Sequence, residues 1–192
     1  MIKNVLLLVD YIASPGGKVK EIKASGTGLF SFLVFAAAIF TQSLSNQLLN
    51  LNSGSSSLTM LLLDVFSNLI AGCLTLFIFT LWVHFMADFM NKISSATAVM
   101  KVCCMSAAPL VLCLPVALFL VAWTKKPLMP YYIIYFLILI KVIQLLFVGL
   151  RDSFHLNSKE TVIIFVAPFI IIPVVCTLLL VIVLMYVFTV FV

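Results

Sequence analysis

Long apolar segments separated by short polar connections dominate the chain and predict a succession of membrane-spanning helices. The apolar segments run over residues 29–49, 58–84, 102–123, 131–150 and 161–192. A helix needs about 20 apolar residues to cross the hydrocarbon core of a bilayer. The pattern therefore predicts an all-α, polytopic transmembrane bundle of five spans. Residues 1–28 form a separate N-terminal segment, and residues 29–192 form one membrane domain.

The N-terminal segment has the pattern of a short helix that lies in the membrane interface. Its apolar residues recur at helical spacing, at Ile2, Val5, Leu6, Val9 and Ile12. The apolar run is too short for a secretory signal, and Asp10 interrupts it. We expect an amphipathic helix at the membrane surface, with a docking helix for a partner as the open alternative. The run Pro15-Gly16-Gly17 then breaks this helix.

The last apolar segment is longer than a single crossing requires. Its 32 residues carry no charged side chain. As a straight helix it would extend about 48 Å, against a hydrocarbon core of about 30 Å. We therefore expect it to tilt or to bend at Pro168 and Pro173, because each proline removes a backbone hydrogen bond. Asn157, followed three residues later by Glu160, predicts a capping box at its start.

Composition places most of the chain in lipid. Hydrophobic residues make up 65% and charged residues 9% of the sequence, and the mean hydropathy is +1.31. A soluble domain carries about 25% charged residues, so this chain has too few to cover a water-facing surface. We expect an integral, multi-pass membrane protein that contacts the lipid bilayer, in the plasma (inner) membrane if the source is prokaryotic.

The placement of the basic residues predicts an orientation. Eight of them fall in segments assigned to one side of the membrane, against two, Lys125 and Lys126, on the other. Basic residues are enriched in cytosolic loops, so we expect the N-terminus in the cytosol and the C-terminus across the membrane. The net charge of +5 is spread over short loops, and without a clustered basic face we expect no nucleic-acid partner.

Two charged residues inside the predicted spans are the first candidates for a functional site. Asp64 lies in the second span and Lys141 in the fourth, with Gln144 one turn from Lys141. A charge within the membrane is costly, and by default it is a functional hypothesis. One interpretation is a structural ion pair, or two side chains that reach separately to the interface. The other is a proton or ion relay.

A second set of polar residues lies at the predicted cytosolic boundary. It comprises His84, Asp88, Arg151 and His155. His84 and Asp88 are four residues apart and so share a helix face. The pattern favours interfacial anchoring, and a pH-sensitive contact is the alternative.

Four prolines, Pro109, Pro115, Pro168 and Pro173, are predicted to break two of the helices. Broken helices line substrate sites in some transporters, although prolines are also common in ordinary membrane helices.

The five cysteines lack metal-ligand spacing, and the two histidines lie far apart. We therefore expect no metal, no cofactor and no catalytic residues.

Several short motifs add a family resemblance. They are Ser106-Ala107-Ala108-Pro109 after His84 and a polar loop, Val148-Gly149-Leu150-Arg151 followed by His155 to Glu160, and Leu6-Leu7-Leu8 before Pro15 and Ile22. Together they resemble the Yip1 family of small five-span membrane proteins, in its compact prokaryotic form. The resemblance implies a fold and a topology but no settled activity. The hydrophilic N-terminus associated with Rab-type GTPases is absent, so we expect no binding to such GTPases.

The soluble segments are too short to form a catalytic domain, and the polar residues within the spans are few. These features indicate a non-enzymatic integral membrane scaffold or accessory subunit. It would associate with another membrane protein or with itself, or organise lipid. The alternative is a transporter or permease subunit that uses Asp64, Lys141 and Gln144. An intramembrane enzyme would need a convergent acid–base set, and the sequence offers none.

Overall fold

The structure is a computed structural model that describes residues 2–24, 28–52, 58–92, 95–124 and 127–191. Within these residues the chain is all-α and contains no strand. The elements are α1 (Ile2–Ala13), α2 (Pro15–Ala24), α3 (Gly28–Asn52), α4 (Leu58–Phe89), α5 (Ala96–Ser106), a 3₁₀ segment (Ala108–Leu112), α6 (Cys113–Trp123), α7 (Leu128–Phe154) and α8 (Ser158–Phe191).

Four helical stretches are long and apolar enough to cross a membrane. They are Gly28–Asn50, Leu62–Phe89, Ala96–Trp123 and Leu128–Phe154. The expectation of an all-α chain is confirmed, and the four apolar helices are compatible with a multi-pass membrane protein. Lys125 and Lys126, which the sequence places after the third span, lie outside the described residues.

The chain divides into two compact units, Met1–His155 and Leu156–Val192. In the first unit the third span, made of α5, the 3₁₀ segment and α6, is the central element. It packs against α2, α3, α4 and α7. In the 18-residue apolar window of this span 56% of the residues are buried, against 17% in the corresponding windows of the second and the fourth spans. The second unit contains α8.

Two core clusters lie on the two sides of the 3₁₀ segment. The first contains residues of the helical hairpin that α1 and α2 form, and we call it the hairpin-side cluster. Its members are Leu7, Tyr11, Val19, Ile22, Val102, Met105 and Leu145. The far-side cluster contains Leu49, Ala117, Leu120 and Tyr131. The first cluster joins α1 and α2 to α5 and α7, and the second joins α3 to α6 and the beginning of α7.

The third span is interrupted at the predicted proline. Pro109 has no N–H to donate to the Met105 carbonyl, so the α-helical ladder cannot continue there. The chain tightens instead, and the N–H of Ala107 donates to the Cys104 carbonyl over 3.3 Å. This tightening produces the 3₁₀ geometry of Ala108–Leu112.

The other three prolines do not interrupt their helices. Pro115 lies in the first turn of α6, where a missing N–H is tolerated. Pro168 and Pro173 lie inside α8, which continues through both. Among the described residues, therefore, the predicted helix break occurs at Pro109, and the breaks expected at the other three positions are not seen.

The N-terminal segment folds as a hairpin of two helices that turns at Ser14. Pro15 begins α2, at the position where its fixed φ angle suits a helix. The predicted apolar stripe of α1 is largely exposed, whereas Leu7 and Tyr11 are buried. Because α1 packs on the bundle through the face that carries Tyr11, its apolar stripe remains largely exposed on the outside of the bundle.

The last turn of α7 and the start of α8 have specific caps. His155 adopts the left-handed conformation (φ 52°) that ends α7. Within the second unit, the N–H of Asn157 donates to Glu160 Oε2 over 2.7 Å. One of the two hydrogen bonds of the predicted capping box, from the Asn157 N–H to the Glu160 side chain, is therefore present.

Candidate functional site

The best-defined polar contact of the bundle centres on Tyr11 of α1. Its side chain is fully buried (0% exposed). Its hydroxyl donates to the Leu145 carbonyl of α7 over 2.9 Å and lies 3.0 Å from Ser106 Oγ of α5. The Ser106 hydroxyl also lies 2.8 Å from the Val102 carbonyl. One phenol thus joins α1, α5 and α7 immediately before the break in the third span.

Gly149 makes room for this phenol. A Cβ atom at position 149 would overlap both the Tyr11 hydroxyl oxygen and a methyl group of Val102. Glycine has no Cβ, so α7 can pass directly beneath the Tyr11 hydroxyl. The sequence offers Gly149 only as part of a family motif, and the structure supplies a physical reason for it.

The charged side chains of the hairpin that the structure describes stay at its surface. Lys18 of α2 lies 3.1 Å from Glu21 Oε1 and 3.6 Å from Asp10 Oδ2 of α1. The hydrogen bond to Glu21 and the nearby negative charges raise the pKa of Lys18 above its ordinary value.

Burial raises the pKa of Tyr11 above the usual tyrosine range, and the hydrogen bond with Ser106 lowers it only in part. Tyr11 is therefore neutral at physiological pH.

On the far side of the break, polar side chains of α3 bond to the neighbouring helices. Thr41 Oγ1 lies 3.3 Å from the carbonyl of Leu110 in the 3₁₀ segment. Gln42 Nε2 donates to the Tyr135 hydroxyl over 2.6 Å. These contacts satisfy polar groups inside the membrane region, where no water replaces a missing partner.

Asp64 and Lys141 have separate partners. Asp64 of α4 accepts a hydrogen bond from Gln47 Nε2 of α3. Lys141 Nζ of α7 donates to Gln144 Oε1 over 3.4 Å. In the part of the chain that the structure describes, Asp64 and Lys141 form no ion pair. The reason is topological, because α4 packs mainly on α3 and α5, whereas α7 packs mainly on α2, α5, the 3₁₀ segment and α6.

The residues of the predicted boundary set lie at the ends of two helices. His84 Nε2 is 3.7 Å from Asp88 Oδ2 near the end of α4. Arg151 Nε is 3.1 Å from Asp152 Oδ1 in the last turn of α7. His155 is the exposed cap of that helix. These contacts are local to each helix end, as interfacial anchors would be.

An apolar cleft of about 380 Å³ lies beside the break in the third span. Four residues of the 3₁₀ segment form one wall, and Ile134, Leu137, Ile138 and Lys141 of α7 form the other, with Ile12 of α1 also contributing. Leu112 and Leu137 are 56% and 60% exposed, so the cleft opens on the surface of the bundle. Of the described residues that line the cleft, Lys141 alone is charged.

The lining of the cleft limits what it can bind. An almost wholly apolar wall cannot replace the hydration shell of an ion or a sugar. An apolar ligand with one anionic group fits it better. Among the described residues there is also no cluster of three or more histidine, cysteine or carboxylate side chains that could hold a metal ion.

Sequence patterns did not identify Tyr11, Ser106, Gln42 or Gln47 as site residues. Tyr11 contacts residues that are 95 and 134 positions away along the chain. The sequence offered one signal for Tyr11: it lies outside the apolar stripe of an otherwise amphipathic helix. The polar residues of α3 had a clearer signal, because several lie close together inside a predicted span.

Comparisons of this chain with family models, curated proteins and solved structures give no match. The resemblance to the Yip1 family therefore stays a prediction that rests on short motifs.

Proposed function

We propose that this chain is a non-enzymatic membrane scaffold or accessory subunit that associates with other membrane proteins, or with itself, or organises lipid around it. One observation supports this function: polar side chains of the spans bond to one another. Gln47 bonds to Asp64 and Gln42 to Tyr135 between spans, and Tyr11 of the N-terminal hairpin bonds to Ser106 and to the backbone of α7. Polar groups used in this way hold helices together and are not available to line a hydrated path.

We further propose a five-span topology in which α8 is the fifth span. Two features support it. The helix Ser158–Phe191 has 34 residues, and the sequence carries no charged residue after Glu160. The basic residues favour a cytosolic N-terminus, which would place the α1–α2 hairpin on the cytosolic side.

The Yip1-type architecture is part of the same proposal. Two of its motifs have physical roles in this bundle. Ser106-Ala107-Ala108-Pro109 supplies a hydroxyl for Tyr11 and the break in the third span, and Gly149 supplies the space beneath Tyr11. We expect no Rab-type GTPase, nucleic acid or cofactor among the partners.

The exposed face of α4 is the surface that we propose for partners. This helix packs on α3 and α5 and leaves an apolar face exposed, with Phe66, Ile70 and Phe77 on it. Apolar exposure alone does not attract a partner in lipid, where association depends on close packing and polar contacts. A partner would therefore have to match the shape of this face.

Purification in native nanodiscs, followed by mass spectrometry of the attached proteins, tests the proposal. A photo-crosslinking residue at Phe77, which is 61% exposed, should join the chain to a second membrane protein or to another copy. The same residue at Leu76, which is 7% exposed, is the matched control and should crosslink within the chain. Recovery of a monomer without crosslinks or tightly held lipid would overturn the proposal.

The break in the third span favours a transporter subunit as a second candidate function. The two candidates differ in what Asp64→Asn and Lys141→Gln should do. A scaffold should keep its assembly in both variants, because the partners of both charges are neutral amides. A relay should fold but lose proton flux into liposomes with either change. Such a loss from an intact bundle would favour the transporter.

A further inference from the structure

Lys141 is a cation in the middle of its helix, and within the described part of the chain it has no anionic partner. It lies 13 residues from each end of α7, and its Nζ donates to the neutral Gln144 Oε1. All six acidic side chains of the sequence belong to the part that the structure describes, and none of them forms an ion pair with Lys141. A charge at this depth is costly unless it is paired.

The apolar cleft runs along α7 and has Lys141 at one end. Ile134, Leu137, Ile138 and Lys141 are spaced at i, i+3, i+4 and i+7, so they form one stripe of the helix. The stripe is about 10 Å long at the rise of an α-helix. The small, buried Ala108 and the adjoining Pro109 lie in the opposite wall. The cleft is therefore an elongated apolar slot with one charged end.

We infer that this slot binds a single-chain amphiphile with a carboxylate head group, of the long-chain fatty acid class. The carboxylate would pair with the Lys141 ammonium group and accept a hydrogen bond from the Gln144 amide. The acyl chain would lie between α7 and the 3₁₀ segment. Charge complementarity selects the head group, and the apolar lining selects the chain.

The size and depth of the slot favour a single chain over a bilayer phospholipid. Its volume of about 380 Å³ lies near the small end of the ~300–1,000 Å³ range of ligand pockets. Lys141 is ten residues from Arg151 at the end of α7, or about 15 Å along the helix. A phospholipid keeps its head group at the interface, whereas a free acid can lower its carboxylate into the bundle.

This binding site goes beyond the scaffold function and does not depend on it. The full chain is placed in phosphatidylcholine nanodiscs with a C16 fatty acid that carries a diazirine in the middle of its chain, within reach of the end of the slot opposite Lys141. We expect light-induced labelling to map to Leu112 and to α7. Labelling should fall about tenfold in Lys141→Gln, the loss expected for one charge-assisted hydrogen bond. Lys141→Arg should keep it, and so should Lys20→Gln, which removes an exposed charge on α2.

Two further comparisons decide the proposal if Lys141→Gln fails to assemble. Leu137→Trp should block the slot, whereas Ile133→Trp, at an equally exposed position outside the lining (59% against 60%), should not. The methyl ester of the probe should label weakly because it has no charge. Equal labelling by acid and ester, or in both tryptophan variants, would overturn the proposal. Displacement of the probe by phosphatidylglycerol as readily as by unlabelled fatty acid would overturn the single-chain assignment.

Discussion

On one side of the break in the third span, α1, α2, α5 and α7 enclose a single phenol, that of Tyr11. On the far side, α3 meets its neighbours through separate side-chain contacts, including Gln42 with Tyr135 and Gln47 with Asp64. The first arrangement concentrates its stability in one contact, which α7 approaches closely at Gly149. The second divides its stability among several contacts, each of which can be lost alone. The two sides should therefore respond very differently to single substitutions.

The largest effect should come from Gly149→Ala. The added Cβ would overlap the Tyr11 hydroxyl oxygen and Val102, so either the hairpin or α7 must shift. Overpacking of this kind costs about 1–3 kcal/mol. Unfolding in mixed detergent–SDS micelles measures the loss, and protease accessibility of α1 should rise with it.

Gly17→Ala is the control, because a Cβ there meets nothing within 4 Å. Tyr11→Phe combined with Gly149→Ala should recover part of the loss, because the closest overlapping atom is removed. A Gly149→Ala variant as stable as Gly17→Ala would show that the phenol is not held tightly against α7.

Tyr11→Phe alone should have the next largest effect. It removes the hydrogen bonds to Leu145 and Ser106 while keeping the ring in place. At about 0.5–1.5 kcal/mol for each bond, we expect a loss of about 1–2 kcal/mol in the same unfolding measurement. Tyr132→Phe, at an exposed position of α7, should change little. Equal losses in the two variants would contradict a special role for Tyr11.

Alkaline pH should weaken the hairpin side through the same residue. The pKa of Tyr11 is raised in the folded state by burial, so the folded chain holds its proton more tightly than the unfolded chain does. The stability that this phenol contributes is complete below the ordinary tyrosine pKa of about 10 and declines above it, by up to about 1.4 kcal/mol per pH unit.

The difference in unfolding free energy between the wild type and Tyr11→Phe isolates this effect from the other titrating groups. It should be constant from pH 7 to about pH 9 and shrink above about pH 10. A difference that stays constant at high pH would mean that the phenol reaches water in the folded state.

The contrast between the two sides also explains what the sequence could predict. Apolar runs such as residues 131–150 identify a span without any knowledge of its neighbours, and the matching helix Leu128–Phe154 was found. Proline chemistry likewise predicted the break at Pro109 from local bonding, although the same chemistry predicted breaks at Pro115, Pro168 and Pro173 that are not seen. In both cases the cause lies within one segment of the chain.

The partners of polar residues could not be predicted in this way. The sequence places Asp64 in the second span and Lys141 in the fourth, but it does not say which helices are neighbours. Asp64 bonds to Gln47 and not to Lys141, because α4 packs on α3 and not mainly on α7. Tyr11 was missed for the same reason, since its partners come from two distant spans. Helix adjacency is a property of the whole bundle.

The smallest effect should come from the far side, where the hydrogen bond between Gln42 and Tyr135 can be tested by a double-mutant cycle. Side-chain hydrogen bonds between membrane helices average about 0.6 kcal/mol, and the one between Gln42 and Tyr135 is 2.6 Å long. We expect Gln42→Leu and Tyr135→Phe to be coupled by about that amount. A coupling above about 2 kcal/mol would exceed the range for such bonds and would mean that the far side also depends on a single contact. A coupling near zero would instead assign the stability of this side to the packing of the cluster around Leu49 and Tyr131.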